Sequence, residues 1–318
     1  MISFITRVHS IAHTGKKHAI IVPAASFQAV HFLTNSRLRK TIAEMRDLKM
    51  PVKRIGIDAG SSLLKMAYFE EEKLHVKTYS YDDLPSLIQW LSIIAPEAIV
   101  CVTGGKSTLV HEKVKSPVKE IAEFEATAQG AAFLLKQEAK QSLNRCILVN
   151  VGTGTSLYLL TNDAAERIIG TGVGGGTLLG LAYLLTGTDQ FRDIVSLAEE
   201  GKRSKLDLLV KDIYEPLEPP IPGYFTASNF GKAAGLSASK PEDMLAAVTG
   251  MIAETVMLMA VQAAGSHQVK DIVYFGGAVA GNRPLRSLLF EATEAFGCTP
   301  LFLEKGEYSG AVGALLHQ

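Results

Sequence analysis

The stretch GIDAGSSLLK, residues 56–65, ends a short apolar run with an aspartate, continues with small residues, and then places a lysine. This pattern predicts a buried strand that ends near Asp58, a turn, and a returning strand that carries Lys65. Such a hairpin is either an ordinary β-turn or a phosphate-binding loop. In a phosphate loop the N–H groups of the small residues surround anionic oxygens, and the aspartate holds a hydrated Mg²⁺. The hairpin alone does not decide between the two.

The same pattern returns about 94 positions later, in RCILVNVGTGTSLYLL at 145–160. Here a strand ends in glycines that alternate with hydroxyl residues, so Thr153 and Thr155 add side-chain donors to a backbone anion nest. A plain tight hairpin is the alternative. Two strand–turn–strand units of this kind predict a duplicated α/β fold, in which each half contributes one hairpin to a shared cleft.

A third loop, GTGVGGGTLLGL at 170–181, places several glycines before an apolar helical run. A glycine-rich turn that leads into a helix presents free N–H groups and the positive end of the helix dipole to an anion. The loop matches neither the Walker A pattern nor the Rossmann fingerprint, and a flexible connection is the alternative. Three phosphate-compatible loops in one chain favour a nucleotide cleft.

The composition excludes several classes of protein. The chain has 318 residues and a net charge of zero, so no overall field favours nucleic acid as a partner. Its three cysteines, Cys101, Cys146 and Cys298, are far apart, which argues against a disulfide framework, a zinc site or an iron–sulfur cluster. No apolar run reaches the ~18 residues of a membrane span. We therefore expect a cytoplasmic α/β protein that does not bind membranes.

The first fifty residues differ from the rest in charge. They contain eight lysines and arginines against Glu44 and Asp47. A transit peptide has this composition too, but we expect a poorly structured basic extension at 1–50 that carries no chemistry and is dispensable. The N-terminal lobe is then predicted at 51–146 and the C-terminal lobe at 147–318.

Two carboxylates and an arginine are candidates for work on a substrate. Glu123 and Glu125 flank Phe124 at a predicted strand–helix junction, where a carboxylate can accept the proton of an attacking hydroxyl. A helix-start charge that the dipole favours is the other interpretation. Arg167 precedes the glycine-rich loop and can hold a carboxylate bidentately, or it can form a surface salt bridge.

With these motifs in view, residues 53–318 resemble the type II pantothenate kinases, in their bacterial form, which belong to the actin-like ATPase superfamily. The motifs that carry the resemblance are GIDAGSSLLK, TGG at 103–105, EFEATAQG at 123–130, NVGTGTS at 150–156, GTGVGGGTLLGL, DLLVKDIY at 207–214, PPIPGYFTASNFGK at 219–232 and YFGGA at 274–278. The resemblance implies two actin-like, ribonuclease H-like lobes with ATP bound between them. It also implies a homodimer that uses ATP and Mg²⁺ to phosphorylate pantothenate to 4′-phosphopantothenate, the first step of coenzyme A synthesis.

The resemblance also assigns roles to single residues. Glu123 matches the catalytic base, Arg167 and Thr155 are expected at the substrate, and Asp58 is expected to hold Mg²⁺ through water. The residues expected to bind ATP are Asp58, Ala59, Gly60, Ser61, Ser62, Leu63, Leu64, Lys65, Thr153, Gly175, Gly176, Thr177, Leu178, Leu179, Phe191 and Gly277.

The sequence departs from the family pattern in two places. Ser61 and Ser62 replace a glycine and a threonine, and Tyr224 and Phe225 replace an aspartate and a leucine after PPIPG. Three other functions share the phosphate loops. They are an amino-sugar kinase of the same superfamily, an ATP-driven activator of an acyl-CoA dehydratase, and a non-catalytic nucleotide sensor.

Overall fold

The structure is a computed structural model that describes residues 9–10, 19–20, 52–138, 143–162, 164–235 and 239–317. The chain divides into two units, Met1–Pro51 and Val52–Gln318. In the first unit two short strands, β1 (His9–Ser10) and β2 (Ala19–Ile20), pair antiparallel. The rest of the basic extension lies outside the described residues, and its loose order stays a prediction.

The hairpin GIDAGSSLLK lies at the centre of a five-stranded sheet. The strands are β3 (Arg54–Ala59), β4 (Leu64–Glu70), β5 (Lys73–Tyr79), β6 (Ile99–Thr103) and β7 (Val118–Glu120). Their order across the sheet is β5-β4-β3-β6-β7. β3 pairs antiparallel with β4 and parallel with β6, so the carboxyl ends of β3 and β6 meet at one edge of the sheet.

The second hairpin lies at the centre of a second five-stranded sheet. Its strands are β8 (Arg145–Val151), β9 (Thr155–Thr161), β10 (Ala164–Thr171), β13 (Asp271–Phe275) and β14 (Thr299–Phe302). The order is β10-β9-β8-β13-β14, with β8 antiparallel to β9 and parallel to β13. Each sheet therefore has an antiparallel hairpin on one side of its central strand and parallel strands on the other, which confirms the predicted duplication.

The helices fill the connections between these strands. They are α1 (Leu84–Ile94), α2 (Ser107–His111), α3 (Glu123–Glu138), α4 (Gly175–Thr186), α5 (Phe191–Glu200), α6 (Val210–Tyr214), α7 (Pro241–His267), α8 (Arg283–Ala295) and α9 (Ser309–Leu316). Strand β11 (Leu208–Leu209) precedes α6 and strand β12 (Thr226–Ser228) follows it, and the two pair as an antiparallel ribbon that brackets α6 and the proline-rich segment. The alanine- and leucine-rich spacing of ATAQGAAFLLKQEA predicts a helix from about Glu125, and α3 begins two residues earlier, at Glu123.

Each sheet has its own apolar core. Leu87 and Leu91 of α1 are buried against Ile55 and Ile57 of the first sheet. Helix α7 supplies much of the core beside the second sheet, together with residues of α5 and α8. Helix α7 is apolar on all sides, as a helix enclosed by protein should be. Among the described residues it alone has the length and apolar composition of a membrane span, yet 61% of its most apolar stretch is buried inside the protein.

Helices α3 and α9 connect the two sheets. Their side chains form one buried cluster with Ala67 of the first sheet and Val273 of the second. The two helix backbones approach closely, because a side chain at Gly130 or Gly313 would collide with a carbonyl of the other helix. Helix α9, which the sequence order assigns to the second lobe, also packs on β3 and β4. The lobe boundary between residues 146 and 147 stays a prediction.

Candidate active site

A cleft of about 1160 Å³ lies at the carboxyl ends of the two central strands, β3 and β8. The first hairpin turn lines it from one sheet, and the turn Gly152–Gly154 lines it from the other. The side-chain oxygens of Ser61 and Thr153 share a hydrogen bond of 2.5 Å across this gap. Lys65 Nζ also crosses toward the second lobe, since a Cβ placed on Gly277 would lie 3.5 Å from it. The two predicted phosphate loops therefore face one space.

Asp58 occupies the floor of the cleft. Its carboxylate fits between two glycines: a Cβ on Gly104 would lie 2.7 Å from Oδ1, and a Cβ on Gly310 would lie 2.6 Å from Oδ2. Burial raises the pKa of this carboxyl group to about 6, the charge of Lys65 opposes that rise, and Glu123 adds to it. A carboxylate held in one position beside a lysine is suited to a phosphate-bound cation.

The donor set at this floor fits magnesium better than a metal that needs several protein ligands. Within the described parts of the chain, no group of three or more histidine, cysteine, aspartate or glutamate side chains is placed to hold a metal ion. Mg²⁺ keeps most of its waters and uses one or two carboxylates plus substrate phosphates. A single carboxylate in a cleft of this size meets that requirement.

The glycine-rich loop borders the cleft but uses some of its donors within the protein. The N–H groups of Gly175 and Gly176 donate to the carbonyls of Gly152 and Thr153, each at 2.8 Å. The expectation that this helix start leaves its N–H groups free for phosphate is therefore wrong for these two amides. Both glycines still line the cleft, and their contact with ATP stays a prediction.

The two candidate glutamates are separated by the start of α3. Glu123 is its first residue and lines the cleft, where its charge acts on Asp58. Glu125 does not line the cleft, and its Oε1 lies 3.2 Å from His317 Nε2. The structure thus distinguishes two carboxylates that the sequence placed only two positions apart.

Arg167, on β10, contacts Phe124, the residue that follows Glu123. The guanidinium carbon lies 4.4 Å from the centroid of the Phe124 ring, a cation–π geometry. Phe124 is 50% exposed, and both residues line the cleft. Glu123 on α3 and Arg167 on β10 therefore line the same cleft.

Thr155, the other residue predicted to bind substrate, also lines the cleft. It is buried, and its hydroxyl donates to the carbonyl of Val173 at 2.7 Å. Only the oxygen lone pairs of that hydroxyl remain for a ligand. Leu179 and Phe191 also line the cleft and offer apolar surface.

Four of the predicted ATP residues place no side chain in the cleft. Ala59, Leu64 and Leu178 are buried in the apolar cores, as residues at the inward positions of a strand or helix are. The Thr177 hydroxyl donates to the carbonyl of Gly172 at 3.0 Å and accepts from the N–H of Gly174, so it closes the loop rather than facing the cleft. For these four, any contact with ATP would go through the backbone.

Several lining residues were missed from the sequence. They include Lys106, Thr127, Asn150, Asp189, Gln190 and Ser309. Lys106 had a usable signal, because it follows TGG at the end of β6, directly beside the end of β3. The others lie on elements that only the tertiary fold brings to the cleft.

Comparison with known proteins identifies the family. The family model Fumble matches residues 72–317. A type II pantothenate kinase of Bacillus cereus is 42% identical over 268 residues, which is 83% of this chain and 97% of that protein. One from Oceanobacillus iheyensis is 42% identical over 265 residues, which is 83% of this chain and 99% of that protein.

The chain belongs to the type II pantothenate kinase family. Two solved structures share the fold of this family member. Component A of the Acidaminococcus fermentans (R)-2-hydroxyglutaryl-CoA dehydratase has a TM-score of 0.57 at 17% identity, covering 83% of this chain and 96% of that chain. The activator of the Clostridium difficile 2-hydroxyisocaproyl-CoA dehydratase, with bound ADPNP, has a TM-score of 0.55 at 16% identity, covering 83% and 92%. The architecture is the predicted pair of actin-like α/β lobes.

Proposed function

We propose that this chain transfers the γ-phosphoryl group of ATP to the primary hydroxyl of pantothenate, which yields 4′-phosphopantothenate for coenzyme A synthesis. The observation that carries the proposal is the geometry around α3. Glu123 at the helix start and Arg167 on β10, which contacts the Phe124 ring, both line the cleft that the two predicted phosphate loops share. Pantothenate has a hydroxyl at one end and a carboxylate at the other, which matches this pair.

The chemistry of phosphoryl transfer needs position and charge more than covalent help from the protein. Lys65 neutralises charge on the transferred group, and the amides of the first loop donate to its oxygens. Glu123 takes the proton of the pantothenate hydroxyl as that oxygen bonds to phosphorus and the bond to the ADP oxygen breaks. Arg167 holds the carboxylate and so sets which end of the substrate faces Glu123.

Asp58 is the residue that would hold Mg²⁺, through water. The bound ion would offset negative charge on the phosphates during transfer. The protein's own contribution is a carboxylate whose position is restricted by the backbone at Gly104 and Gly310.

The protein is proposed to act as a cytoplasmic homodimer. Helix α4 carries three consecutive apolar side chains on the surface, Tyr183, Leu184 and Leu185, and Leu184 is 78% exposed. A contiguous exposed apolar patch marks an interaction site more often than a solvated surface. A second copy of the chain is the partner that the family resemblance implies.

The dehydratase-activator alternative fits this chain poorly despite the shared fold. Cys101 and Cys146 are fully buried in separate strands, and Cys298 lies before β14. The three cysteines therefore lie at three different places in the fold, and two of them are buried. The amino-sugar kinase alternative would need a sugar-binding aspartate in place of the Glu123–Arg167 pair.

A substrate panel tests the proposal. ADP release is measured with purified protein, ATP and Mg²⁺ in the presence of pantothenate, small hydroxy acids, and amino sugars. We expect release with pantothenate well above every other acceptor. A preference for an amino sugar, or ATP binding with no acceptor turned over, would replace the proposal by one of the alternatives.

A further inference from the structure

The backbone of the first predicted phosphate loop is held by two residues that belong to neither loop, Tyr81 and Lys106. The carbonyl of Ala59 accepts from the backbone N–H of Lys106 at 3.0 Å. The carbonyl of Gly60 accepts from the hydroxyl of Tyr81. The carbonyl of Ser61 accepts from Lys106 Nζ at 2.5 Å. Three consecutive carbonyls of the loop are therefore bound by only two residues.

These two residues also contact each other. Lys106 Nζ lies 4.3 Å from the centroid of the Tyr81 ring, so the ammonium group is held over the aromatic face. Burial, with a smaller contribution from the charge of Asp58, raises the pKa of Tyr81 to about 12. The Tyr81 hydroxyl therefore stays protonated and donates to Gly60 at any physiological pH.

Binding the carbonyls fixes the direction of the amides. In a planar trans peptide the carbonyl of one residue and the N–H of the next point in opposite directions. Fixing the carbonyls of Gly60 and Ser61 therefore fixes the direction of the N–H groups of Ser61 and Ser62, and both of these residues line the cleft. Among the residues that the structure describes, neither of these two N–H groups has an acceptor. They are free for an anionic ligand.

We propose that Tyr81 and Lys106 are positioning residues that hold the Ser61 and Ser62 amides ready for the terminal phosphates of the nucleotide. The inference rests on the proposed function only in taking ATP as the ligand. It does not depend on which acceptor is phosphorylated. On this inference, both residues contribute to ATP affinity by fixing the orientation of the loop. Neither contribution requires contact with the base or the sugar.

Nucleotide binding without pantothenate is the test. The affinities of AMP-PNP, ADP and adenosine are measured by calorimetry for the full chain, Tyr81→Phe, Lys106→Met, Lys106→Arg and the double variant Tyr81→Phe/Lys106→Met. Tyr214→Phe and Lys113→Met remove a hydroxyl and an exposed ammonium elsewhere and serve as matched controls. Thermal unfolding of every variant is recorded, and Tyr81→Phe deletes a single oxygen atom, so its fold is preserved.

Each single variant is expected to weaken AMP-PNP binding by about three- to ten-fold, the effect of one hydrogen bond. Adenosine affinity should stay unchanged, Lys106→Arg should recover part of the loss, and the double variant should lose less than the product of the two single losses, since both act through one loop. The inference is overturned if Tyr81→Phe binds AMP-PNP normally, if adenosine binding falls in parallel, or if the unaltered chain binds no AMP-PNP. Normal binding by a chain that does not phosphorylate pantothenate would count against the proposed function alone.

Discussion

Ser61 and Thr153 lie 92 positions apart in the chain, yet both line the cleft and their side-chain oxygens are 2.5 Å apart. Each belongs to the turn of a central hairpin, one in each sheet. Because the sheets have the same strand order, the two turns occupy equivalent places in the two lobes. The contact is the direct structural sign that one bound phosphate chain can be held by both lobes at once.

Glu123→Gln is expected to lower kcat by roughly 10²–10⁴-fold, the usual effect of removing a general base. The amide cannot accept the hydroxyl proton, but the loops proposed to hold ATP are unchanged, so nucleotide affinity should persist. Steady-state kinetics and calorimetric ATP binding on the same preparation separate the two effects. Glu125→Gln is the matched control, since its carboxylate faces His317 and not the cleft. Near-normal turnover in Glu123→Gln with collapse in Glu125→Gln would reverse the assignment.

Arg167→Ala is expected to raise the KM for pantothenate by roughly 10- to 100-fold, which corresponds to the loss of a charged hydrogen bond. Arg167→Lys should recover only part, because lysine cannot bind a carboxylate bidentately. Phe124→Leu should show a milder form of the same defect, since it removes the ring beneath the guanidinium. Initial rates are compared with a pantothenate amide that lacks the carboxylate. If Arg167→Ala impairs the amide as strongly as the acid, Arg167 does not bind the carboxylate.

Asp58 should make activity fall as the pH is lowered through about 6, because the protonated carboxyl group no longer holds a hydrated cation. The kcat/KM for ATP, measured between pH 5 and 8, reports this loss. Glu97→Gln, which removes an exposed carboxylate away from the cleft, should leave the profile unchanged.

Asp58 also predicts how the stability of the fold depends on pH. Activity is expected to fall as the pH is lowered, whereas stability is expected to fall as the pH is raised. The pKa of Asp58 is raised in the folded state from 3.8 to about 6, so the folded protein binds the proton more tightly and loses stability as pH rises through that interval. At about 1.36 kcal/mol per step of one in pKa, Asp58→Asn should raise the free energy of unfolding at pH 7.5 by at most about 3 kcal/mol. The gain should vanish toward pH 4. Destabilisation by Asp58→Asn at pH 7.5 would contradict this account.

Leu184→Glu is expected to convert a dimer into a monomer, because a charge would be buried at the centre of the apolar patch on α4. Sedimentation velocity over a range of concentrations measures the change. Leu217→Glu is a matched control, since Leu217 is an equally exposed leucine in the proline-rich segment, at 73%. A monomeric unaltered chain, or a dimer that survives Leu184→Glu, would remove α4 as the interface.

The hairpins could be predicted from sequence because each depends on local chemistry. An apolar strand, small turn residues and a returning strand are all visible within ten positions of Asp58. The duplication followed from finding that pattern twice. The helix that begins at Glu123 was placed within two residues, since its alanine- and leucine-rich face has helical spacing.

The parts that could not be predicted depend on contacts between distant segments. Nothing local shows that Gly175 and Gly176 donate to carbonyls of the second loop, or that Glu125 faces His317. Tyr81 and Lys106 reach the first loop only because β6 lies next to β3 and the chain after β5 returns to the same edge. The sequence pattern indicates which residues can bind phosphate, while the fold decides which of their polar groups remain free.

The most direct test of the central claim is the identity of the phosphorylated product. The full chain is incubated with ATP, Mg²⁺ and D-pantothenate, the products are analysed by mass spectrometry and ³¹P NMR, and Glu123→Gln is run beside it. The account predicts a phosphomonoester on the primary hydroxyl of pantothenate, formed in equal amount with ADP and almost absent with Glu123→Gln. ADP formed without phosphopantothenate, or equal product from Glu123→Gln, would contradict it.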